Sequence, residues 1–407
     1  MTELVDGAVL GPPIDDRKAR RNVFVLATAG ALGGAAPPIS FSIAAIAAYD
    51  FLGEDKSLAT LPITAFVVGT ACGTVPAALL MRKVGRRAGF ITGMLISLLG
   101  VVLSGLAMFT SGFVLLCVGS ALVGFAQAFL QQFRFAAADT ASRAFRPRAI
   151  SLVMAGGIVA AVLGPQTVIH AADLFEGAPY AGAFLGAAFF SLLGVGVLFF
   201  LDIPHVQVKP GAASGRLIGE IARQPSFLVA VGCATSAFAM MSFVMTAAPL
   251  AMVMHHHHRD AAVLGIQWHV LAMFAPSFIT GSLIARFGAE RIVAAGLLLL
   301  VGCSLVALSG TSVGHFWLAL VLLGIGWNFG FIGGTALVTQ TYRPEEKEKV
   351  QALNDFLIFG VVALASFSSG EVLLAGGWNL LNIMVLPFAV LVLGALFWQM
   401  RLRPKPA

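Results

Sequence analysis

The sequence predicts an all-α polytopic membrane protein with twelve transmembrane helices in two six-helix halves and both termini in the cytoplasm. Of its 407 residues, 58% are hydrophobic and only 11% are charged, whereas a soluble domain carries about 25% charged residues. A spanning helix needs about twenty apolar residues, and the chain contains twelve such stretches. The longest polar break separates six stretches from the other six. Together, these observations argue against a soluble fold.

The twelve apolar stretches are separated by short polar connections. They cover residues 23–50, 58–81, 88–110, 113–136, 147–171, 179–201, 226–253, 262–285, 291–310, 314–339, 348–372 and 377–400. The long polar break runs from Asp202 to Pro225. We therefore expect an N-terminal half at 1–201, a cytoplasmic central linker at 202–225 and a C-terminal half at 226–407.

The basic residues favour one orientation in the membrane. If the N-terminus is cytoplasmic, 23 of the 25 Lys and Arg residues lie on the cytoplasmic side, and only Lys56 and Arg259 lie on the other. Cytoplasmic loops carry an excess of Lys and Arg. The net charge of +6 is spread over short clusters between apolar stretches, so it does not indicate a nucleic-acid partner. The first apolar stretch is too long for a signal peptide and is expected to stay as a span.

The two halves resemble each other. Gly124 in the fourth stretch lies 23 residues before Pro147, and Gly324 in the tenth stretch lies 20 residues before Pro344. Each proline follows a Phe-Arg or Tyr-Arg pair, and each of these motifs comes just before the next apolar stretch. A chain of six plus six spans with related halves resembles the major facilitator superfamily of transporters.

A loop after the eighth stretch strengthens this resemblance. Gly281, Arg286 and Gly288 match the superfamily's loop motif, which the resemblance implies is part of a cytoplasmic gate. The motif normally includes an acidic residue that helps to latch the gate. Arg82 and Ala285 occupy this position in the two halves, so we expect the usual latch to be missing. Anchoring of the loops by positive charge is the simpler interpretation.

Two residue pairs in the seventh and eighth stretches suggest a metal. Met241 and Met245 are four residues apart, and so are His269 and Met273. This spacing places both members of a pair on one helix face. Thioether and imidazole groups are ligands that Cu(I) prefers, and a histidine inside a span is functional by default. The alternative is that the methionines pack in the core and that His269 bonds a neighbouring helix.

The placement of the pairs predicts a path for the metal. In an antiparallel hairpin, a rise of about 1.5 Å per residue puts Met245 level with His269 and Met241 level with Met273. The loop above them contains His255, His256, His257 and His258. A histidine tract is a candidate metal collector, and a solvated loop without a role is the alternative.

A few other polar residues lie within the spans. Asp355 is the candidate proton carrier, because acids inside a span are expensive and usually functional; a salt bridge at the cytoplasmic gate is the alternative. The four cysteines do not form a CxxC pair, which argues against a zinc site or a disulfide framework. The sequence contains no phosphate-binding loop, paired catalytic carboxylates or activated nucleophile. It therefore predicts a protein that is not an enzyme.

The Met-xxx-Met and His-xxx-Met pairs resemble those of the CcoA-type copper importers, a bacterial branch of the superfamily. This resemblance implies that Met241, Met245, His269 and Met273 bind copper. It also implies import across the bacterial cytoplasmic membrane by alternating access, a supply of copper for haem–copper oxidases and a cytoplasmic copper chaperone as a candidate partner. Copper would be the cargo, and no permanently bound cofactor is expected.

Two other functions remain open at this point. The branch also includes riboflavin importers, so the chain could be an importer or exporter of riboflavin or a drug-like molecule. Trp268, Phe274 and Trp327 are aromatic residues available to such a solute. The second alternative is a membrane-bound copper sensor or oxidase-assembly factor that transports nothing. Such a protein normally needs a soluble domain, and the sequence shows none.

Overall fold

The protein is almost entirely helical. The computed structural model describes residues 4–5, 8–9, 16–142, 145–203, 215–343 and 346–402. Two short strands, β1 (Leu4–Val5) and β2 (Ala8–Val9), pair in an antiparallel arrangement before the first helix. The helices are α1 (Asp16–Gly33), α2 (Ala36–Phe51), α3 (Leu61–Val84), α4 (Arg86–Thr110), α5 (Phe113–Leu130), α6 (Phe133–Thr140), α7 (Arg146–Ala171), α8 (Ala181–Leu198), α9 (Ile218–Ala222), α10 (Pro225–Met254), α11 (Arg259–Phe274), α12 (Ser277–Phe287), α13 (Ala289–Ser309), α14 (Val313–Thr339) and α15 (Lys347–Leu402).

Most of these helices are suited to cross a bilayer. Within the described residues, 10 helices are long and apolar enough to span, and 11 if α11 and α12, bent by 42° at a short break, count as one. The predicted all-helical, multi-pass membrane protein is therefore confirmed. The predicted count of twelve differs because α15 is continuous over 56 residues, with Gly377 in a non-helical conformation inside it.

The two halves repeat each other in how their helices meet. A tight turn between consecutive helices is centred on Gly85 in the first half and on Gly288 in the second, both at a φ of 86°. Glycine adopts this left-handed conformation without steric cost. α5 approaches α3 at Gly124, where an added Cβ would lie 1.9 Å from the carbonyl oxygen of Phe66. α14 approaches α11 at Gly324 in the same manner. The predicted correspondence of Gly124 and Gly324 is thus present in the packing.

The halves meet mainly through four helix pairs, α2 with α10, α2 with α11, α3 with α15, and α7 with α11. Thr64 Oγ1 lies 3.3 Å from Ser366 Oγ, and Gln166 Nε2 donates to Gln267 Oε1 at 2.9 Å. These contacts lie toward the end of the molecule formed by the loop containing Asp173, which we call the Asp173 end. The opposite end carries the Gly85 turn, and we call it the Gly85 end.

The described part of the central linker is fixed to both halves. Asn22 in α1 exchanges hydrogen bonds of 2.7 and 3.0 Å with the backbone of Asp202. Arg216 forms a salt bridge of 2.7 Å with the fully buried carboxylate of Glu346, just before α15. Residues 204–214, which make up much of the predicted linker, lie outside the described residues, as does Pro344 of the predicted repeat.

Candidate functional site

The four predicted metal ligands lie in the C-terminal half. Met241 and Met245 on α10 are 1% and 5% exposed and belong to the hydrophobic core of this half. Met273 on α11 is partly buried and packs against the same core. Their sulfur atoms therefore have packing contacts that need no metal. Their assignment as metal ligands stays a prediction.

His269 forms a hydrogen bond between two helices. Its side chain is completely buried, and Nδ1 lies 2.8 Å from the carbonyl oxygen of Leu320 on α14. Nε2 has no hydrogen-bond partner within the described part of the chain. Gly324 lies one turn after Leu320 and lets the α14 backbone approach the α11 backbone at His269. This arrangement is the helix-pairing alternative that the sequence left open.

The four consecutive histidines form the turn between α10 and α11. His255 is the C-cap of α10, and His257 Nε2 lies 2.6 Å from the carbonyl oxygen of Thr311. The side chain of His258 caps α11 by accepting from the backbone N–H of Asp260. His256 has a left-handed φ of 61°. The tract is therefore an ordered turn, and its predicted metal-capture role stays a prediction.

The loop motif has one structural role that the geometry explains. Gly288 supplies the left-handed turn between α12 and α13, while Gly281 faces open space. The Arg286 guanidinium lies over the ring of its neighbour Phe287, at 5.1 Å. In the other half, Arg86 forms a salt bridge with Asp139 at the end of α6. This acidic partner comes from a distant helix, so the motif spacing does not reveal it.

Aromatic side chains occupy the boundary between the two halves. One buried hydrophobic cluster lies mainly in the C-terminal half, and a second lies mainly in the N-terminal half but includes residues of α10, α11 and α15. Among the described residues, three partly buried side chains pack against both of these clusters, and all three are phenylalanines, Phe41 on α2, Phe238 on α10 and Phe331 on α14. Phe41 also makes an edge-to-face contact of 5.1 Å with Phe66 on α3. One ring from the N-terminal half and two from the C-terminal half therefore lie where the two clusters meet.

The C-terminal side of this boundary is a connected aromatic cluster, formed by Phe238, Trp327, Phe331 and Phe359. Trp327 stacks on Phe331, with ring centroids 5.2 Å apart and an angle of 13° between the planes. Phe238 meets both rings edge to face, at 5.5 Å and 5.2 Å. Phe359 on α15 contacts Phe238 at 6.1 Å. The cluster presents flat apolar faces on three helices.

Small residues on α14 bring this cluster together. An added Cβ at Gly330 would lie 2.6 Å from the Cβ of Ala237, and one at Gly334 would lie 2.8 Å from the backbone nitrogen of Ala234. Both alanines are on α10. Small residues let membrane helices approach closely, so Phe238 on α10 is brought against Trp327 on α14. The i, i+4 spacing of Trp327 and Phe331 explains their stacking.

The three aromatics named from the sequence have different positions. Trp327 is part of the aromatic cluster. Phe274 ends α11 and faces Gly157 on α7 of the other half, 3.8 Å from the position of an added Cβ. Trp268 is exposed on α11. Phe238 and Phe331 were missed, because phenylalanine is common in membrane helices and the sequence does not show which rings face the other half.

Polar groups also meet between the halves and along α14. The hydrogen-bonded amides of Gln166 and Gln267 join α7 to α11. Asn328, next to Trp327, donates to the carbonyl oxygen of Met273 at 2.6 Å and accepts from Thr280 at 2.6 Å. It therefore bridges the bend between α11 and α12. Because Asn328 is fully buried and engaged on both sides of the bend, its role here is to fix the helix backbone.

A salt bridge joins the halves at the Asp173 end. Arg259, the first residue of α11, donates two parallel hydrogen bonds of 2.7 Å to the carboxylate of Asp173, which follows α7. These bonds hold the pKa of Asp173 below its usual value. The guanidinium also lies 5.6 Å from the ring centroid of Tyr180, whose φ of 70° is unusual for a bulky residue. The predicted topology places only two basic residues on the non-cytoplasmic side. One of them, Arg259, thus has an acidic partner.

Asp355, the predicted proton carrier, lies in the first turns of α15. Its carboxylate accepts a hydrogen bond of 3.1 Å from Asn354. It interacts electrostatically with Arg134 on α6 of the other half. Among the described residues, the two charges are not joined by a direct salt bridge. Proton coupling by Asp355 stays a prediction.

Comparison with known families agrees with this architecture. The family model of the Major Facilitator Superfamily matches residues 22–366 and, in a second overlapping match, residues 233–407. The chain belongs to the major facilitator superfamily. The solved structure of the nucleoside transporter NupG superposes on this superfamily member with a TM-score of 0.72, covering 92% of this chain and 99% of that one at 13% identity. At this identity, the match supports the fold alone.

Two relatives resemble the chain over nearly its full length. The riboflavin transporter RfnT of Brucella anthropi is 48% identical over 395 residues, covering 97% of this chain and 98% of the relative. The uncharacterized MFS-type transporter YdeG of Bacillus subtilis is 31% identical, covering 93% of this chain and 92% of the relative. Both names describe transporters rather than enzymes.

The similarity to RfnT corrects the function predicted from the sequence. Copper import was inferred from four residues, whereas the similarity to a riboflavin transporter extends over almost the whole chain. The prediction of copper import is therefore wrong, and the alternative of an organic solute is supported. The error has a physical reason. Pairs of Met or His at helical spacing arise readily in apolar helices that pack through methionine, and buried His269 is hydrogen-bonded to a neighbouring helix.

Proposed function

We propose that the protein is a secondary transporter that moves riboflavin across the bacterial cytoplasmic membrane. The aromatic boundary between the two halves carries this proposal. Riboflavin contains a planar tricyclic ring system, and planar rings are stabilised by stacked and edge-to-face aromatic contacts. Phe41, Phe238 and Phe331 offer such surfaces from both halves. Superfamily transporters bind substrates near the midplane, between their repeats. The similarity to RfnT points to the same substrate.

The proposal includes twelve spans with both termini in the cytoplasm. The largely apolar segment of 53 residues from Lys349 to Arg401 would extend about 80 Å as a straight helix, whereas the hydrocarbon core is about 30 Å thick. Gly377 interrupts this helix near its middle. We therefore take α15 as two spans that turn at Gly377. Arg82, Lys83, Arg86 and Arg87 lie at the Gly85 end, which makes that end cytoplasmic by the positive-inside rule.

The two basic residues on the non-cytoplasmic side are also compatible with this topology. Lys56 donates to the carbonyl oxygen of Tyr49 at 2.6 Å and lies over the ring of the same residue. Arg259 is paired with Asp173. Both residues lie at the Asp173 end, where this topology places the non-cytoplasmic surface. Because both cations have partners there, they do not argue against this orientation.

Counterflow in proteoliposomes tests the substrate. Vesicles containing the purified protein are loaded with unlabelled riboflavin, and entry of external radiolabelled riboflavin is measured. We expect label to accumulate transiently in these vesicles and to stay at background in protein-free vesicles. Counterflow needs no driving ion and does not depend on the physiological direction of transport. Absence of exchange by folded protein would rule out riboflavin as the substrate.

The aromatic boundary is tested by replacing its rings with leucine. Phe238→Leu and Phe331→Leu keep an apolar side chain but remove the flat face, and each aromatic contact is worth about 0.5–1.5 kcal/mol beyond its buried area. We expect the KM for riboflavin to rise about two- to tenfold in each variant. Phe388→Leu changes an exposed ring on α15 and is the matched control. If all three variants behave alike, the boundary is not the riboflavin site.

A further inference from the structure

The aromatic cluster contains one side-chain polar atom that has no partner among the described residues. Trp327 is 9% exposed, and its Nε1–H donor has no hydrogen-bond acceptor within the described part of the chain. Buried donors are nearly always paired, and an unpaired one destabilises the folded state. A buried donor therefore needs an explanation in terms of strain, a missing partner or function.

The position of Trp327 separates it from the other buried tryptophan that has an unpaired donor. Trp378 is 2% exposed, and its Nε1 is also unpaired. Its ring packs on Phe316 inside the core of the C-terminal half. Trp327 instead contacts Phe238 and Phe331, the two rings of this half that also pack against the cluster made mainly of N-terminal residues. Of these two tryptophans, only Trp327 has its donor beside the boundary between the halves.

We infer that the Trp327 Nε1–H is a specificity-determining donor that recognises an acceptor atom on the edge of a planar heteroaromatic substrate. This inference rests on the proposed riboflavin transport. The flavin ring system carries four such acceptors around the edge of its two nitrogen-containing rings, two carbonyl oxygens and the nitrogens N1 and N5. When a flavin lies against Phe238 or Phe331, the neighbouring indole supplies a directional bond that stacking alone lacks. A site built to donate a hydrogen bond discriminates strongly against analogues that lack the acceptor.

The local packing suits this role. Trp327 stacks nearly parallel on Phe331, so the indole plane is fixed by the same helix that carries it. Asn328 is bonded to Met273 and Thr280, which anchors the α14 backbone beside Trp327 to the α11–α12 bend. A donor held by packing and by hydrogen bonds on the neighbouring residue loses little conformational entropy on binding. The donor is therefore pre-positioned before the substrate arrives.

The inference is tested with Trp327→Phe and matched substrates. The substrates are riboflavin, 5-deazariboflavin and 1-deazariboflavin, each deaza compound having one ring nitrogen replaced by C–H. Trp378→Phe removes an equivalent unpaired donor away from the boundary and serves as the control. Counterflow KM values are measured for the wild type and both variants, and melting temperatures in detergent establish that each variant is folded.

Loss of stacking area and loss of the donor give different results. The smaller ring of Phe weakens the binding of all three substrates to the same extent. Loss of a hydrogen bond adds a further reduction of about three- to tenfold only for substrates that carry the acceptor. If the acceptor is N1 or N5, one deaza compound escapes this extra loss. If it is a carbonyl, all three substrates lose affinity, and the infrared C=O band of the bound flavin moves to higher frequency in Trp327→Phe.

Three outcomes are decisive. A substrate-dependent loss, or a carbonyl band shift, in Trp327→Phe but not in Trp378→Phe supports the inference. Equal losses for all substrates with unshifted carbonyl bands overturn it and leave Trp327 as a stacking residue, with its N–H directed at a neighbouring ring. If the folded wild type exchanges none of the flavins, the proposed function itself fails, and this result is distinct from the other two.

Discussion

Arg259 and Asp173 connect the two halves of the protein by two parallel hydrogen bonds of 2.7 Å. Asp173 lies in the loop after α7 of the first half, and Arg259 begins α11 of the second. Alternating access requires the halves to separate at one end and then at the other. In this conformation, the salt bridge holds the Asp173 end together, so it must break before substrate can pass through that end.

Asp173→Asn should favour opening of the Asp173 end. Exposed ion pairs contribute about 0.2–1 kcal/mol, and this one is partly exposed, so we expect the open population to rise by up to about fivefold. Maleimide labelling of Ser366→Cys, beside the α3–α15 contact, measures this opening in a background without other cysteines. The exchanged pair Asp173→Arg with Arg259→Asp should restore the wild-type labelling rate. If the single change leaves labelling unaltered, the salt bridge is not a latch.

The same salt bridge should be insensitive to mild acid. Arg259 lowers the pKa of Asp173 in the closed conformation, whereas an unpaired Asp titrates near about 3.9. The ion pair therefore contributes fully to the stability of the closed conformation at pH values above the pKa of an unpaired Asp. That contribution is lost only as the pH falls through the lowered pKa of Asp173. Maleimide reacts with the thiolate, so its rate rises with pH for any cysteine. We therefore divide the labelling rate at Ser366→Cys by that of the same cysteine in unfolded protein, and between about pH 5 and pH 8 we expect this ratio to be constant in protein that carries the Asp173–Arg259 pair. A steep change within that range would contradict this assignment.

Asp355 should couple transport to protons without being needed for substrate exchange. It is an acid inside a span, facing Arg134 across the halves, and Asp355→Asn removes its proton-binding capacity. We expect this variant to lose accumulation of riboflavin driven by a pH gradient while keeping counterflow within about threefold of the wild type. Glu176→Gln, an exposed acid in the loop after α7, is the control. Loss of both activities in Asp355→Asn would instead assign the residue to the gate or the binding site.

Close helix contacts at equivalent glycines should be sensitive to one added methyl group. At Gly324, a Cβ would lie 2.6 Å from the carbonyl oxygen of His269, and at Gly124 it would lie 1.9 Å from that of Phe66. Overpacking costs about 1–3 kcal/mol, so both Gly→Ala variants should melt at lower temperature. Gly394 on α15 has no atom within 4 Å of the added Cβ, and Gly394→Ala should be neutral or slightly stabilising. Unchanged melting of the first two variants would contradict the close packing.

Removal of the sulfur ligands should leave transport intact. Met241→Leu and Met245→Leu conserve volume in the core, and such changes usually cost less than about 1.5 kcal/mol. We expect riboflavin counterflow to stay within about twofold of the wild type, with or without a Cu(I) chelator. The measurement compares KM and maximal rate in both conditions. A requirement for copper in riboflavin exchange would restore a metal role for these residues.

The sequence predicted the general architecture well but only part of the site. The apolar stretches and the Gly124–Gly324 correspondence followed directly from composition and spacing, because each span must be apolar along its whole length. Phe238 and Phe331 could not be singled out, since a span that is apolar all round does not show which face meets another helix. The copper-import function inferred from the Met and His pairs was wrong for a related reason. Their spacing gave a common helix face but not what that face contacts.

The sequence by itself determined that this chain is a multi-pass helical membrane protein with two related halves, because bilayer thickness and backbone hydrogen bonding allow few alternatives. Only the tertiary structure decided which side chains meet between those halves. The pairing of Arg259 with Asp173 and the contacts of Phe238 with Trp327 and Phe331 depend on how separate helices are rotated against one another. That rotation is set by the fit of many small contacts between helices, which spacing along a single helix does not encode.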